Sequence, residues 1–440
     1  MRSGIGMRSD IGMYLMRKLA VFAGLVICLG AQAAVAGPSA VSDVLQSAEF
    51  KSAAAALTAD HDRFVEENIR LTEIPAPPFK EEARARAYAG MMRESGLSDV
   101  AIDGIGNVIG VRPGADRRAA PLIVAAHLDT VFPEGANVKV RREGTRLSAP
   151  GIGDDSRPLA LLLAFIRALA KANVRTERDV LFVGDVGEEG LGDLRGTKYL
   201  FANDVRAKKA YGFIAIEVTG FDDISTTGVG SKRYRVTFTG PGGHSSEAFG
   251  IVNPLASLAT VIGRLYEIKA PASPKTTYAA TVIGGGTSVN TIPDQAFLMV
   301  DLRSADSGEL GKLDQAFRRI VEEAVAQENR TRDTSKGRIG FDMKSIGDRP
   351  AGHTDESLPL VRNAKAAAEA FGYTPRAGAF SSDANVPMSL GIPAISIGSG
   401  AAGGRQHAPD EWIDVAQPDS LRGMKAGLAT VVASAGLATR

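Results

Sequence analysis

Short apolar segments that run into polar residues are the feature that most constrains the fold of this chain. Three such segments are residues 121–124, before His127 and Asp129; residues 179–183, before Glu188 and Glu189; and residues 212–216, before Glu217. Helical patterns separate them, and alternating strands and helices are typical of a parallel sheet covered by helices. We therefore predict an α/β fold whose polar side chains gather at the carboxyl edge of the sheet, where such folds place their sites.

The ordered histidines and acids indicate a metal site. His127 and Asp129 are two residues apart and share one face of a strand, so that the imidazole can bind a metal. Asp154-Asp155 precedes an apolar helix predicted over residues 159–170, and His407 lies in a glycine-rich loop. For any single residue, a structural histidine or a solvated acidic loop is the competing interpretation. The whole set, without an available thiolate, favours a hydrolytic metal pair, which Zn²⁺ suits best.

A two-metal site makes specific demands on its carboxylates. One carboxylate must bridge the two ions, and each ion needs terminal ligands. Another carboxylate must stay off the metals to take a proton from water. Glu188 and Glu189 are adjacent, so that their side chains point apart and can divide these two tasks.

With these motifs the chain resembles the dizinc metallopeptidase family of glutamate carboxypeptidase, peptidase T, aminoacylase and succinyl-diaminopimelate desuccinylase. The resemblance covers nearly all of the chain after residue 36. It implies two Zn²⁺ ions, with Co²⁺ or Mn²⁺ as substitutes, and it implies that Asp154 bridges them, that Glu188 is the general base and that Asp129 orients catalytic groups. The metal ligands that it implies are His127, Asp154, Glu189, Glu217 and His407.

One motif departs from the pattern of the family. The family usually continues Asp-Asp-Lys-Gly-Gly, whereas Asp155 is followed here by Ser156-Arg157-Pro158. Proline is compatible with the first turn of a helix. The ligand assignment is therefore unchanged, but the subfamily and the substrate stay open.

The pattern of elements changes after residue 229. Strands at 232–239, 277–283, 296–302 and 339–343 and helices at 254–268 and 309–327 follow the β-α-β-β-α-β order of a ferredoxin-like unit. We predict an inserted lid over residues 230–344, between two parts of a mostly parallel-sheet zinc-peptidase catalytic domain, residues 37–229 and 345–440. Another dizinc aminopeptidase class has a similar order of ligands on a single domain, so the insertion favours the family named above.

The resemblance also implies functions for the lid. It implies a homodimer formed through the lid, in which His244 of the Gly-Pro-Gly-Gly-His-Ser-Ser motif reaches the partner's active site and stabilises the oxyanion. A structural turn histidine is the alternative. Asn290 matches a substrate-contacting asparagine. Arg303 can bind a substrate carboxylate through two hydrogen bonds, or it can pair with Asp301 at the strand edge.

The N-terminus and the composition limit the compartment and the partners. Met16-Arg17-Lys18, an apolar run over 19–30 and small residues at 34–36 predict a signal peptide at 1–36, cleaved near Ala36, and a secreted, periplasmic protein. An uncleaved anchor is the alternative, but the run is short for a membrane span. Cys28, the only cysteine, lies in this segment.

Without residues 1–36, the 51 basic and 50 acidic residues become 47 and 49, so we expect neither nucleic-acid binding nor stable membrane association.

These observations predict a secreted dizinc hydrolase that cleaves a peptide bond. Exopeptidase or dipeptidase action is favoured, because a lid that closes over a cleft suits short substrates. The alternative is an N-acyl-amino-acid or carbamoyl amidohydrolase of the same fold. A catalytically inactive periplasmic binding protein is the non-enzyme alternative, in which Glu188 would have no task. The expected substrate is a short peptide or an N-acyl amino acid.

Overall fold

The structure is a computed structural model that describes residues 40–218, 220–400 and 402–438. The predicted signal peptide, residues 1–36, lies outside the described residues. Within that described part of the chain, no helix combines the length and the apolar character that a membrane span requires.

Eleven α-helices occur among the described residues, and they include those predicted at 159–170, 254–268 and 309–327. They are α1 (Ala40–Gln46), α2 (Ala48–Ala59), α3 (His61–Thr72), α4 (Glu82–Glu94), α5 (Ser156–Lys171), α6 (Arg195–Asn203), α7 (Pro254–Leu265), α8 (Ser307–Thr331), α9 (Pro359–Ala370), α10 (Asn385–Ser389) and α11 (Gln417–Ala435). Pro158 lies in the first turn of α5, where its missing N–H has no partner to lose.

Nineteen strands occur in the same described ranges. They are β1 (Asp99–Ile102), β2 (Val108–Arg112), β3 (Leu122–His127), β4 (Arg141–Glu143), β5 (Arg146–Ser148), β6 (Val180–Asp185), β7 (Gly212–Glu217), β8 (Asp223–Gly228), β9 (Gly230–Thr239), β10 (Gly243–His244), β11 (Thr276–Gly285), β12 (Thr291–Ile292), β13 (Gln295–Ser304), β14 (Gly340–Arg349), β15 (Gly352–His353), β16 (Arg376–Phe380), β17 (Ala394–Gly398), β18 (Gly403–Gly404) and β19 (Trp412–Asp414).

The largest sheet has nine strands and confirms the predicted α/β class. Its main path is β1-β2-β6-β3-β7-β17-β8-β15, with β16 beside β8. The central strands β6, β3, β7 and β17 are parallel, and every residue of each is buried. Strands that are covered on both faces have nearly continuous apolar sequences, and for this reason the sequence predicts these strands. The β1-β2-β6 edge is antiparallel, and a five-residue turn joins β1 to β2.

Helices cover both faces of this sheet. On one face, α2, α3, α5, α9 and α11 form the largest hydrophobic core, and α5 is buried along nearly its whole length. On the other face, α6 and α10 pack against the central strands in a smaller core. This layering leaves the carboxyl ends of the parallel strands as the open edge of the domain.

A four-stranded antiparallel sheet has the predicted ferredoxin-like arrangement. Its order is β11-β13-β9-β14, and α7 and α8 pack on one of its faces around a hydrophobic core of their own. We call this unit the lid. Strand β14 continues to Arg349, so the sheet extends past residue 344, where we predicted that the lid ends. The described residues form one compact unit, and the domain boundaries stay a prediction.

Candidate metal centre

The predicted metal ligands lie at the carboxyl edge of the large sheet. His127 is the last residue of β3, Glu217 is the last residue of β7, and Glu189 follows β6 by four residues. Asp154 stands two residues before α5, and His407 stands in the loop between β18 and β19. Three adjacent parallel strands therefore supply one group each, and two loops add the remaining pair.

Asp154 lies between the two histidines and offers one oxygen to each. Its Oδ1 is 3.0 Å from Nε2 of His127, and its Oδ2 is 3.3 Å from Nε2 of His407. Nε2 of His407 is also 3.0 Å from Oε1 of Glu189. This geometry is the one that a bridging carboxylate requires.

Two overlapping groups of side chains can hold metal ions. The ligand atoms of His127, Asp154 and Glu189 lie within 4.8 Å of one another, and so do those of His127, Asp155 and Glu217. The structure thus brings together all five predicted ligands and adds Asp155, which the sequence did not single out as a ligand. Nitrogen and carboxylate oxygen donors of this kind suit Zn²⁺ and other divalent ions of similar character.

The charges of the site fit divalent cations. Oδ1 of Asp155 is buried and has no hydrogen-bond partner among the described residues. Burial raises the pKa values of Asp155 and Glu217, and nearby carboxylates raise them further: Glu217 acts on Asp155, and Glu188 acts on Glu217. Hydrogen bonds to Asp154 and Glu189 raise the pKa of His407 to about 10. The four carboxyl groups of Asp154, Asp155, Glu189 and Glu217 outnumber the two histidines beside them, and divalent metal ions would balance the charge of the ionised carboxylates.

Asp129 organises both the histidine and the glutamate loop. Its backbone oxygen lies 3.0 Å from Nδ1 of His127, which leaves Nε2 free to act as a ligand. Its carboxylate accepts the amide hydrogens of Gly187, Glu188 and Glu189 at 2.8, 3.0 and 2.9 Å. The orienting role predicted for Asp129 requires contacts of this kind.

Glu188 pairs with a buried arginine. Its Oε1 accepts a hydrogen bond of 2.8 Å from Nη1 of Arg349, and its backbone oxygen accepts another from Nη2. Burial raises the pKa of Glu188 to about 8, although the Arg349 guanidinium opposes this rise. A carboxyl group whose pKa is raised toward the neutral range, and which lies beside the candidate metal ligands, is suited to general-base catalysis.

Strand β14 directs Arg349 into the site through a β-bulge. Lys344 pairs with Arg235 in β9, but a shift after Ser345 places Gly347 opposite Arg233 and Arg349 opposite Ser231. Strict alternation from Lys344 would have turned Arg349 to the opposite face of the lid sheet. Sequence reasoning missed Arg349 because it ended this strand at residue 343.

Glu411 is a second residue that sequence reasoning missed. Its carboxylate accepts the amide hydrogens of Gly151, Gly153 and Asp154 at 3.0, 2.9 and 2.8 Å. Burial and the nearby Asp154 raise the pKa of Glu411 to about 7, while these amides oppose the rise. Glu411 therefore shapes the loop that presents Asp154.

A cavity of about 570 Å³ joins the predicted ligands to the lid. Acidic groups and His407 line one wall, and cationic side chains from the lid strands and their ends line the other. These cations are Arg233, Lys275, Arg303 and Arg349. Arg303 lines this cavity and also pairs with Asp301 at 2.8 Å, so both of its predicted environments are present.

His244 and Asn290 lie together on the lid, and neither is among the described residues that line this cavity. His244 is exposed on β10, opposite Thr291 in β12, and its Nδ1 is 3.0 Å from Oγ of Ser246. The backbone oxygen of Asn290 accepts the amide hydrogen of Ser245 at 2.9 Å. The predicted role of His244 at a partner's site and the predicted substrate contact of Asn290 stay predictions.

Solved structures resemble this fold over most of their length. Aminopeptidase PepT from Bacillus cereus ATCC 10987 gives a TM-score of 0.67 at 22% identity, over 85% of this chain and 98% of that chain. A hydantoinase/carbamoylase family amidase from Burkholderia vietnamiensis gives 0.63 at 20%, over 86% and 97%. YxeP from Bacillus subtilis, a dinuclear metal binding peptidase, gives 0.60 at 16%, over 85% and 98%. At these identities the likeness shows the fold alone.

Sequence comparison establishes the family. The uncharacterized protein YqjE from Bacillus subtilis (strain 168) is 24% identical over 366 residues, which span 77% of this chain and 90% of the relative. The sequence profile of peptidase family M20/M25/M40 matches residues 123–433, from strand β3 to helix α11. The chain therefore belongs to peptidase family M20/M25/M40 and is a metal-binding hydrolase of the peptidase and amidase type.

Proposed function

We propose that this chain is a secreted dizinc exopeptidase that cleaves short peptides, with Glu188 as the general base. The observation that carries this proposal is the position of Asp154, which presents one oxygen to His127 and the other to His407. The Glu188 carboxylate lies beside this group but pairs with Arg349, so it is free of the ligand set.

Metal ions held by the ligand set would supply Lewis-acid chemistry, and the protein's own groups handle the proton. Metal ions held by His127, Asp154, Glu189, Glu217 and His407 would polarise the scissile carbonyl and lower the pKa of water. Glu188 accepts a proton from the attacking water and delivers it to the leaving nitrogen, as the C–O bond forms and the C–N bond breaks. Asp129 holds the Glu188 amide, so that the base keeps its position during both transfers.

The size and position of the cavity support short substrates. A volume of about 570 Å³ suits a ligand of a few residues, and the lid strands form one wall. An amidohydrolase that acts on N-acyl or carbamoyl amino acids is the second candidate, and the resemblance to the Burkholderia amidase favours it. Turnover of a dipeptide and tripeptide panel against acylated and carbamoylated amino acids tests the proposal: cleavage of only the second panel would overturn peptidase action.

Secretion rests on the N-terminal pattern alone. A basic start, an apolar run and small residues before Gly37 support export with cleavage near Ala36. The absence of cysteine after residue 36 is compatible with an oxidising compartment, because no free thiol would be exposed there.

We expect the purified protein to contain close to two transition-metal ions per chain. A chelator should abolish activity and lower the melting temperature, because the ions bind the folded protein and not the unfolded chain. Elemental analysis and thermal denaturation measure the two effects, and added Zn²⁺ should restore both. A protein without transition metal whose activity survives chelation would contradict the dizinc assignment.

We expect Arg349→Met to lower kcat by up to about 10²-fold, because a displaced base loses alignment with its water. Arg349 contacts Glu188 through both its carboxylate and its backbone oxygen, so it acts as a positioning residue. Steady-state kinetics should show the loss in kcat with KM and metal content little changed, and Arg349→Lys should recover part of the rate. An equal loss of metal, or no difference between Met and Lys, would indicate a purely structural role.

A further inference from the structure

The face of the lid sheet that lines the cavity carries an excess of positive charge. The opposite face packs its apolar side chains, such as Val236 and Leu298, against α7 and α8. On the cavity face, Arg233 lies in β9 and Arg303 in β13, opposite Thr277 of β11. Lys275 precedes β11, and its backbone oxygen accepts the amide hydrogen of Ala305 at 3.2 Å, so it stands beside the end of β13.

A single carboxylate serves two of these three cations. Oδ2 of Asp301 is 2.8 Å from Nε of Arg303, and its Oδ1 is 3.4 Å from Nε of Arg233. Lys275 forms no ion pair or hydrogen bond through its ammonium group with any described residue. Apart from Arg349, which pairs with Glu188, this wall therefore carries three positive charges against one negative charge, a surplus of two.

The opposite wall does not supply the missing negative charge. Its carboxylates are those of the metal ligands and of Glu188, and the last of these is already paired with Arg349 at 2.8 Å. With two divalent ions bound, the ligand carboxylates are balanced by the metals. The surplus on the lid wall is then left for the substrate to neutralise.

We infer that the preferred substrate carries two carboxylates on the side of the scissile bond that faces the lid. This inference rests on the proposed function, and it assigns a peptide or N-acyl amino acid whose C-terminal residue is acidic. The planar guanidinium of Arg303 suits the α-carboxylate, which it can bind through two hydrogen bonds. The ammonium of Lys275, a flexible point charge without a partner, suits the side-chain carboxylate.

A pair of substrates that differ only in side-chain charge tests this inference. We expect zinc-loaded wild-type protein to cleave Ala-Glu with a kcat/KM about tenfold above that for Ala-Gln, which corresponds to one charge-assisted contact. Lys275→Met should reduce the value for Ala-Glu to near that for Ala-Gln and leave Ala-Gln within about twofold. The preference should shrink at high salt, because an exposed lysine is screened.

Lys269→Met is the matched control, because Lys269 is an exposed lysine of the same lid that is not among the described residues lining the cavity. It should keep the tenfold preference. Equal cleavage of both dipeptides by wild type, or an equal loss on both in Lys275→Met, would overturn the inference.

A binding measurement separates this inference from the proposed function. If neither dipeptide is cleaved, the peptidase proposal fails, and calorimetry with glutarate and butyrate on the zinc-loaded protein decides the charge inference alone. Glutarate binding about tenfold tighter than butyrate binding, with the difference lost in Lys275→Met and kept in Lys269→Met, would support the two-carboxylate site. Equal binding of the two acids would overturn it.

Discussion

Replacing Glu188 with glutamine should lower turnover by about 10²–10⁴-fold, the usual scale for loss of a general base. The substitution keeps the shape of the side chain and an oxygen that can accept the hydrogen bond from Arg349, but it removes the ability to take a proton. The Glu188 carboxylate belongs to neither group of side chains that can hold a metal. We therefore expect metal content and melting temperature close to those of the wild type.

Glu189→Gln is the matched comparison, because it makes the same chemical change at the neighbouring residue. Oε1 of Glu189 is 3.0 Å from Nε2 of His407 and belongs to the first ligand group. We expect this variant to bind less metal and to recover activity in part when excess Zn²⁺ is added. Elemental analysis and steady-state kinetics on both variants distinguish the two roles. Equal metal loss in both, together with an active Glu188→Gln enzyme, would show that base and ligand are exchanged or misassigned.

The fold and the clustering of the predicted ligands were predictable because their signals are local. His127 and Glu217 end buried strands, and a nearly continuous apolar run such as Leu122–His127 is typical of a strand that is covered on both faces. Because parallel strands carry their carboxyl ends to one edge, the order of motifs along the chain also predicted that these residues meet.

The residues that sequence reasoning missed depend on contacts between distant segments. Glu411 is far from Gly151 and Asp154 in sequence, and no local pattern predicts that its carboxylate accepts hydrogen bonds from their backbone amides. Arg349 reaches Glu188 only because a bulge in β14 changes which side chains face the cavity, and bulges leave no strong mark on alternation. The sequence around Asp155 predicts only that this residue precedes a helix. Its position beside His127 and Glu217 depends on the folding of distant segments onto one another.

The remaining question concerns His244 of the lid, which does not line the cavity of its own chain although it is predicted to take part in catalysis. His244 is exposed on the two-stranded β10-β12 sheet, whereas the cavity is lined by other lid residues among those described. We propose that His244 completes the site of a second copy of the chain in a homodimer formed through the lid. His244→Ala should then lower turnover by about 10²–10³-fold, the cost of one oxyanion donor. Fold and metal content should not change, because the side chain is exposed and touches no ligand.

Mixing the His244→Ala and Glu188→Gln variants tests whether His244 acts in the active site of the partner subunit. A hybrid dimer of His244→Ala and Glu188→Gln contains one site in which the Glu188 of one chain meets the His244 of the other, so mixing should restore part of the activity. Subunit exchange is first shown by native mass measurement of the hybrid. Glu188→Gln mixed with Glu189→Gln is the control: both changes fall in the candidate metal site of their own chain, so every hybrid site keeps one defect and mixing adds no activity beyond that of the separate variants. If exchange occurs and the first mixture recovers no more activity than this control, His244 does not act across the dimer.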